Sequence, residues 1–220
     1  MRGFFSGELQ VEFLSDGRLM KLKKRYKFTG PDGVQWPVPK GAVTDGASIP
    51  RIFWPIVGGP FEGKYRNAAV VHDYYCSQRV RQAQAVHKMF YDAMIASDVK
   101  MRDAKILYFA VRLGGPKWDR LTEINSAIAV PREIRPPSDG AYGRQISKLS
   151  DAIAILEERD RQATLYKFKS GVDRLTAAGL DDVSLADIDQ IADEVQQQPV
   201  PKAVYVDILQ SQIETIDPLA

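Results

Sequence analysis

The chain has 220 residues, a hydrophobic fraction of 45% and a net charge of +2. This length allows one large domain or a domain with an appended region, and the composition is that of a folded globular protein. The first residues, MRGFFSGELQVEF, contain no sustained apolar run, so the sequence predicts neither a signal peptide nor a membrane span. The lone Cys76 excludes an internal disulfide, and it predicts that any bound metal uses oxygen and imidazole ligands. We therefore expect a chain that is made in the cytoplasm.

Charge is distributed unevenly along the chain. Residues 1–136 carry 22 Lys and Arg against 13 Asp and Glu, whereas residues 137–220 carry 8 against 15. The sign changes within VPREIRPPSDGAYG, whose prolines and glycines are typical of a linker. The basic charges are scattered and accompany no nucleic-acid-binding motif. We predict a first domain at residues 1–130, a linker at 131–143 and a helical accessory region at 144–220.

The N-terminal region predicts antiparallel strands. Asp-Gly interrupts the alternating apolar residues of GELQVEFLSDGRLMKLKKRYKF, which is the pattern of a hairpin. Pro37 and Pro39 confine the next segment to an edge strand or an extended loop, because proline has no backbone N–H for a central strand.

Helices are predicted to follow the strands. Asn67 can cap a first helix in AAVVHDYYCSQR. A second helix, in AQAVHKMFYDAMIASDV, has one apolar face. A third, in RDAKILYFAVRLGG, ends in glycines suited to a C-terminal cap. The accessory region predicts a long helix with Ile146 to Leu156 on its apolar face, a helix opened by a Ser184–Asp187 capping box, and a last helix in KAVYVDILQSQIETI. The predicted fold class is α+β: a small N-terminal antiparallel β region packed with three helices, followed by a helical accessory region.

The stretch AAVVHDYYCSQ carries the residues best suited to chemistry, His72 and Asp73. Neighbours on a helix point about 100° apart, so this pair does not form a mutual relay. His72 can act as a general base near neutral pH, while Asp73 holds a cation. Asp45, in the tight turn TDGAS, is the predicted second ligand, and His87 on the next helix can face His72.

Four segments in order resemble a domain-of-unknown-function family that is common in bacteriophages and prophages. They are VPKGAVTDGASIPRIFWPIVGGP, YRNAAVVHDYYC, AQAVHKMFYDAM and ILYFAVRLGG. The resemblance spans roughly residues 1–120. It implies a phage- or prophage-associated protein that is synthesised in the cytoplasm of the bacterial host, and we further expect that it associates with the virion.

The order of TDGAS, HDYY and HKMFYDA is also similar to the layout of the short prokaryotic secreted phospholipases of the A-two type. This resemblance implies that Asp45 and Asp73 bind calcium and that His72 activates water, with His87 or Asp92 at the position of the residue that orients the histidine. Those phospholipases are exported and disulfide-bonded, which this chain does not match. Zinc is the alternative, since His72 and His87 together with Asp45 or Asp73 would leave an open position for water.

Two classes of function follow. The first is a metal-assisted hydrolase of an ester or amide of the cell envelope, with His72, Asp73 and Asp45 as catalytic residues and Asp45, Asp73 and His87 as metal ligands for calcium or zinc. The alternative is a non-enzymatic component of a phage tail or neck, which binds phage structural proteins or assembles through its C-terminal helices. In that case His72 is a core histidine, and we expect Cys76 to be a small buried residue in either case.

Overall fold

The computed structural model of the protein describes residues 2–15, 19–44, 63–118 and 160–205. The N-terminal part forms two antiparallel sheets of three strands each, and helices follow. The predicted α+β class, with a small β region followed by helices, is therefore confirmed. No helix within these four ranges is both long and apolar enough to cross a membrane.

The two sheets interleave along the chain. One has the order β1-β4-β5 and the other the order β2-β3-β6. The strands are β1 (Phe4–Ser6), β2 (Val11–Phe13), β3 (Met20–Leu22), β4 (Tyr26–Thr29), β5 (Gln35–Val38) and β6 (Val43–Thr44).

The predicted hairpin is confirmed by the antiparallel pairing of β2 with β3, in which Val11 lies opposite Leu22. The chain then leaves this sheet, and β4 joins the other one, where Tyr26 and Phe28 lie in the core. Pro37 lies in β5 at the edge of its sheet, as its missing N–H requires.

The three predicted helices follow the sheets: α1 (Arg66–Gln78), α2 (Ala83–Ala96) and α3 (Met101–Gly114). The first contacts β5 and β6, the second contacts β1, and the third packs on α2. The apolar face predicted for α2 is buried in full, at Val86, Met89, Phe90, Ala93 and Met94. The cap predicted for α1 is wrong. The helix already begins at Arg66, so Asn67 lies inside it and Tyr65 is the N-cap, with no side-chain hydrogen bond.

Gly115 ends α3, in agreement with the sequence. Its N–H donates to the Val111 carbonyl, and its backbone is extended and not left-handed. A side chain at this position would collide with the Val111 carbonyl oxygen, so the close approach of the two backbones requires glycine.

The accessory region is helical where it is described. Residues 160–177 form α4, Leu185–Gln197 form α5, and a short 3-10 helix covers Lys202–Tyr205. The predicted capping box is confirmed, because the Ser184 side chain accepts from the Asp187 N–H and Asp187 accepts from the Ser184 N–H. The linker at 131–143 and the face from Ile146 to Leu156 lie outside the described residues, so the predicted domain boundary stays a prediction.

The accessory helices pack against α3. Phe109 of α3 stacks on Phe168 of α4 with ring centroids 5.7 Å apart. On α5, Asp189 accepts hydrogen bonds from the Tyr108 hydroxyl at 2.7 Å and from Arg112 Nε at 2.6 Å. The buried ammonium group of Lys105 donates to the Leu180 carbonyl at 2.6 Å. Apolar and polar contacts thus join α3 to the C-terminal helices.

Candidate functional site

The helix α1 is held against β5 by aromatic contacts. The Tyr75 hydroxyl donates to the Pro37 carbonyl at 3.1 Å, and the Trp36 and Tyr75 rings meet edge to face with centroids 5.0 Å apart. The guanidinium of Arg81 lies 4.0 Å from the Trp36 ring centroid and stacks over it. These contacts fix the rotation of α1, which sets the directions of His72 and Asp73.

The two histidines of the chain meet between α1 and α2. Nε2 of His72 lies 2.9 Å from Nδ1 of His87, which is hydrogen-bond distance. His72 is 0% exposed and His87 is 1% exposed. The ring of Phe90 stacks on His72 with centroids 4.6 Å apart. The structure therefore brings together the two imidazoles that sequence analysis expected to face each other.

Cys76 completes a cluster that sequence analysis missed. It follows His72 by one helical turn, and its Sγ lies 3.6 Å from His72 Nε2. One ligand atom from each of His72, Cys76 and His87 lies within 4.8 Å of the others, and all three residues are buried. The i, i+4 spacing of His72 and Cys76 was the available signal, since such residues share a helix face.

Asp73 points in a different direction. Its carboxylate accepts a hydrogen bond from the Thr44 hydroxyl at the end of β6, and Asp73 is not a member of the cluster of His72, Cys76 and His87. This divergence agrees with the roughly 100° that separates neighbouring helix residues. Asp45, which follows Thr44 in the sequence, lies outside the described residues, so its role as a ligand stays a prediction.

Asp92 is the other residue that resemblance placed near the histidine. In the structure its carboxylate accepts from the Lys88 ammonium at 2.8 Å, one turn away on α2. His87 of the same helix is the residue that contacts His72.

Burial controls the protonation of both imidazoles. The pKa of His72 is lowered well below 6.5, first by burial and then by the neighbouring His87. Burial also lowers the pKa of His87 to about 4, with the positive charges of Arg112 and Lys117 adding to the effect and the negative charge of Asp189 opposing it. Both rings are therefore neutral at pH 7, and each has a lone pair for a proton or a cation.

The far side of His87 faces the loop after α3. The Pro116 carbonyl lies close enough to favour the protonated ring. Nε2 of His87 nevertheless has no hydrogen-bond partner of standard geometry among the described residues. The atom is buried, so this part of the site holds an unused polar group.

Comparison with known proteins places this chain in a family. A family model described as "Protein of unknown function (DUF1353)" matches residues 20–111. Uncharacterized protein y4iH of Sinorhizobium fredii (strain NBRC 101917 / NGR234) is 34% identical over 196 residues, which is 88% of this chain and 78% of the relative. The chain belongs to the DUF1353 family. The predicted resemblance to a family of unknown function is thereby confirmed.

A second relative is covered over a smaller share of its own length. Uncharacterized protein y4jT of the same strain is 39% identical over 159 residues, which is 71% of this chain. The chain spans 46% of the length of y4jT. No solved structure matches this chain. The region matched by the DUF1353 model contains His72, Cys76 and His87 and ends before the accessory helices.

The stability of this DUF1353 chain should depend on pH through His87. The folded-state pKa of about 4 lies below the ordinary value of 6.5, so the unfolded chain binds protons more readily than the folded one in this interval. Stability is therefore complete above about pH 6.5 and is lost as the pH falls towards 4. In chelator-treated protein we expect the free energy of unfolding to decrease by on the order of 3 kcal/mol over this interval from His87 alone. Urea unfolding at a series of pH values measures this decrease.

The control is His87→Leu, which removes the titrating ring. Its free energy of unfolding should change less with pH between 6.5 and 4 than that of the unaltered chain, because the remaining pH dependence comes from other groups. Equal pH dependence in the two proteins would show that the buried imidazole is not responsible.

Proposed function

We propose that this chain is a metal-assisted hydrolase of an ester or amide of the cell envelope, encoded by a phage or prophage, with its centre at His72. The observation that carries the proposal is the convergence of two neutral, buried imidazoles, with Nε2 of His72 and Nδ1 of His87 2.9 Å apart. Neutral imidazole is both a common metal ligand and a proton acceptor at pH 7.

The chemistry requires an activated water. A divalent cation held at this centre would supply that activation, because such a cation can lower the pKa of bound water from about 15.7 to about 7. Water would add to the carbonyl carbon of the substrate and give up a proton, and the bond to the leaving oxygen or nitrogen would then break. The leaving group takes up a proton, and the products are a carboxylic acid and an alcohol or amine. His72 acts in this scheme as the base or as a ligand of the cation.

Asp73 contacts the end of β6, which precedes Asp45 in the sequence. Its side chain is bound to Thr44, and Asp45 is the next residue in the sequence. This contact connects the end of β6 to the helix that carries His72.

The proposal is tested by assaying the full-length protein on two substrates. Phospholipid vesicles report ester hydrolysis by the release of fatty acid, and purified peptidoglycan reports amide hydrolysis by the release of new amino groups. We expect one of the two products, its loss on treatment with a chelator, and its return when a divalent cation is added. Absence of both products from the metal-supplemented protein would overturn the proposal.

A second candidate function is favoured by the burial of the same residues. His72 and His87 are 0% and 1% exposed, and His72 is covered by Phe90, so the cluster also suits a purely structural role. In that case the protein is a tail- or neck-associated component of a phage particle. It should then sediment with particles in a gradient and hydrolyse neither substrate. Hydrolysis without association with particles would reject this candidate.

A further inference from the structure

We propose that His72, Cys76 and His87 form a zinc site, with three protein ligands and a fourth position for water. The inference deepens the proposed function, because it names the cation and the residues that hold it. It also differs from the ligand sets expected from sequence, which took a carboxylate from Asp45 or Asp73 and did not include Cys76. The site would still exist if the protein were not a hydrolase.

Two of the three distances among the ligand atoms are close to those of a zinc site, and all three are within 4.8 Å. Zinc binds imidazole nitrogen at about 2.0–2.1 Å and thiolate sulfur at about 2.3 Å, so in a tetrahedron two nitrogens lie about 3.3 Å apart and nitrogen and sulfur about 3.6 Å apart. Nε2 of His72 and Sγ of Cys76 are 3.6 Å apart. Nε2 of His72 and Nδ1 of His87 are 2.9 Å apart, so they must separate by about 0.4 Å.

The ligands lie on elements that the core holds in place. His72 and Cys76 occupy one face of α1, and His87 faces them from α2. Two aromatic rings lie beside the cluster. Phe90 stacks on His72, and the ring centroid of Trp118 lies 6.2 Å from that of His87. A rigid apolar surrounding keeps the donor atoms close together before a metal arrives.

The donor set selects the metal. Thiolate and imidazole are preferred ligands of zinc, whereas calcium and magnesium take oxygen ligands. Cys76 is the single cysteine of the chain, and it is buried. Two imidazoles and one thiolate leave a zinc ion with one net positive charge and an open coordination position, which is the arrangement of a catalytic site.

Protons also balance in this site. Zinc displaces one proton, that of the Cys76 thiol, and His72 must carry its remaining ring proton on Nδ1. His87 binds through Nδ1 and so carries its proton on Nε2, the buried atom that has no partner of standard geometry in the described residues. The nearby Pro116 carbonyl is suited to accept a hydrogen bond from this N–H, as the outer partners of metal-bound histidines commonly do.

Cobalt(II) provides the direct test in the unaltered full-length protein. It replaces zinc in tetrahedral sites, and a thiolate ligand gives it a charge-transfer band in the near ultraviolet. We expect one cobalt ion per chain, that band, visible bands of tetrahedral intensity, and displacement of cobalt by one equivalent of zinc. A cobalt-free protein, or a bound cobalt ion without the thiolate band, would overturn the inference.

Two variants separate this ligand set from the carboxylate set. Cys76→Ala should remove the thiolate band and weaken zinc binding by more than about 100-fold, since loss of an outer partner alone costs about 10–100-fold. Asp73→Asn keeps an acceptor for Thr44 and should bind zinc as the unaltered chain does, because Asp73 lies outside the cluster. Loss of zinc binding in folded Asp73→Asn, with retention in Cys76→Ala, would instead support the carboxylate ligands.

The outcome for zinc is separable from the outcome for hydrolysis. Stoichiometric zinc with a thiolate ligand, without hydrolysis of vesicles or peptidoglycan, retains the site and rejects the enzyme. Hydrolysis that requires calcium, in a protein that binds no zinc, retains the enzyme and rejects the site.

Discussion

His72→Gln is expected to reduce turnover of the envelope substrate by about 10²–10⁴-fold, the usual contribution of a general base. Glutamine can keep one hydrogen bond to His87, but it does not accept a proton at neutral pH and is a poor zinc ligand. Folding should be nearly intact, because the substituted side chain is of similar size. Turnover is measured with the vesicle or peptidoglycan assay, and folding by urea unfolding of the same preparation.

Ser77→Ala is the matched control on the same helix. Ser77 lies on α1, and its hydroxyl donates to the backbone carbonyl of Asp73 at 3.1 Å. Removal of this hydroxyl should change turnover by less than about twofold. Ser77 is exposed, and substitutions at the surface usually alter the free energy of unfolding by about 0.5 kcal/mol or less. A large loss of stability in His72→Gln with unchanged turnover would show that His72 is only a core histidine.

The second large effect concerns the packing of the accessory helices. Phe109→Ala is expected to lower the free energy of unfolding by about 3–5 kcal/mol, because it removes a fully buried ring and leaves a cavity. Phe109 is 0% exposed and stacks on Phe168. Gly171 lies so close to the Phe109 ring that any side chain there would collide with it. Urea unfolding of the full-length chain measures the change.

Phe13→Ala is the control, because it makes the same substitution at an exposed position. Phe13 is 61% exposed, so its truncation should change the free energy of unfolding by less than about 0.5 kcal/mol. A cost below about 1 kcal/mol for Phe109→Ala would contradict the tight contact between α3 and α4. A shift of similar size in both variants would indicate that burial does not distinguish the two sites.

The DUF1353 match covers the part of the chain that carries the candidate site. The matched region, residues 20–111, contains the cluster and the helices that carry it. Experiments on metal content and hydrolysis therefore address the part of the chain that is shared with this family.

The sequence by itself determined the elements whose signals are local. Asp-Gly between alternating runs was enough for the β2–β3 hairpin, the three-to-four spacing on α2 identified its buried face, and Ser184 with Asp187 identified the start of α5. Each of these signals depends on residues that are close together in the sequence, so the prediction requires no knowledge of distant contacts.

Only the tertiary structure decided how those elements meet. The relative rotation of α1 and α2 brings His87 to the ring of His72, and it turns Asp73 towards Thr44. The separation of β3 and β4 into two sheets depends in the same way on pairing with β6 and β1. Such contacts join residues 15 to 29 positions apart, and side-chain packing selects among several arrangements that the periodicity allows equally.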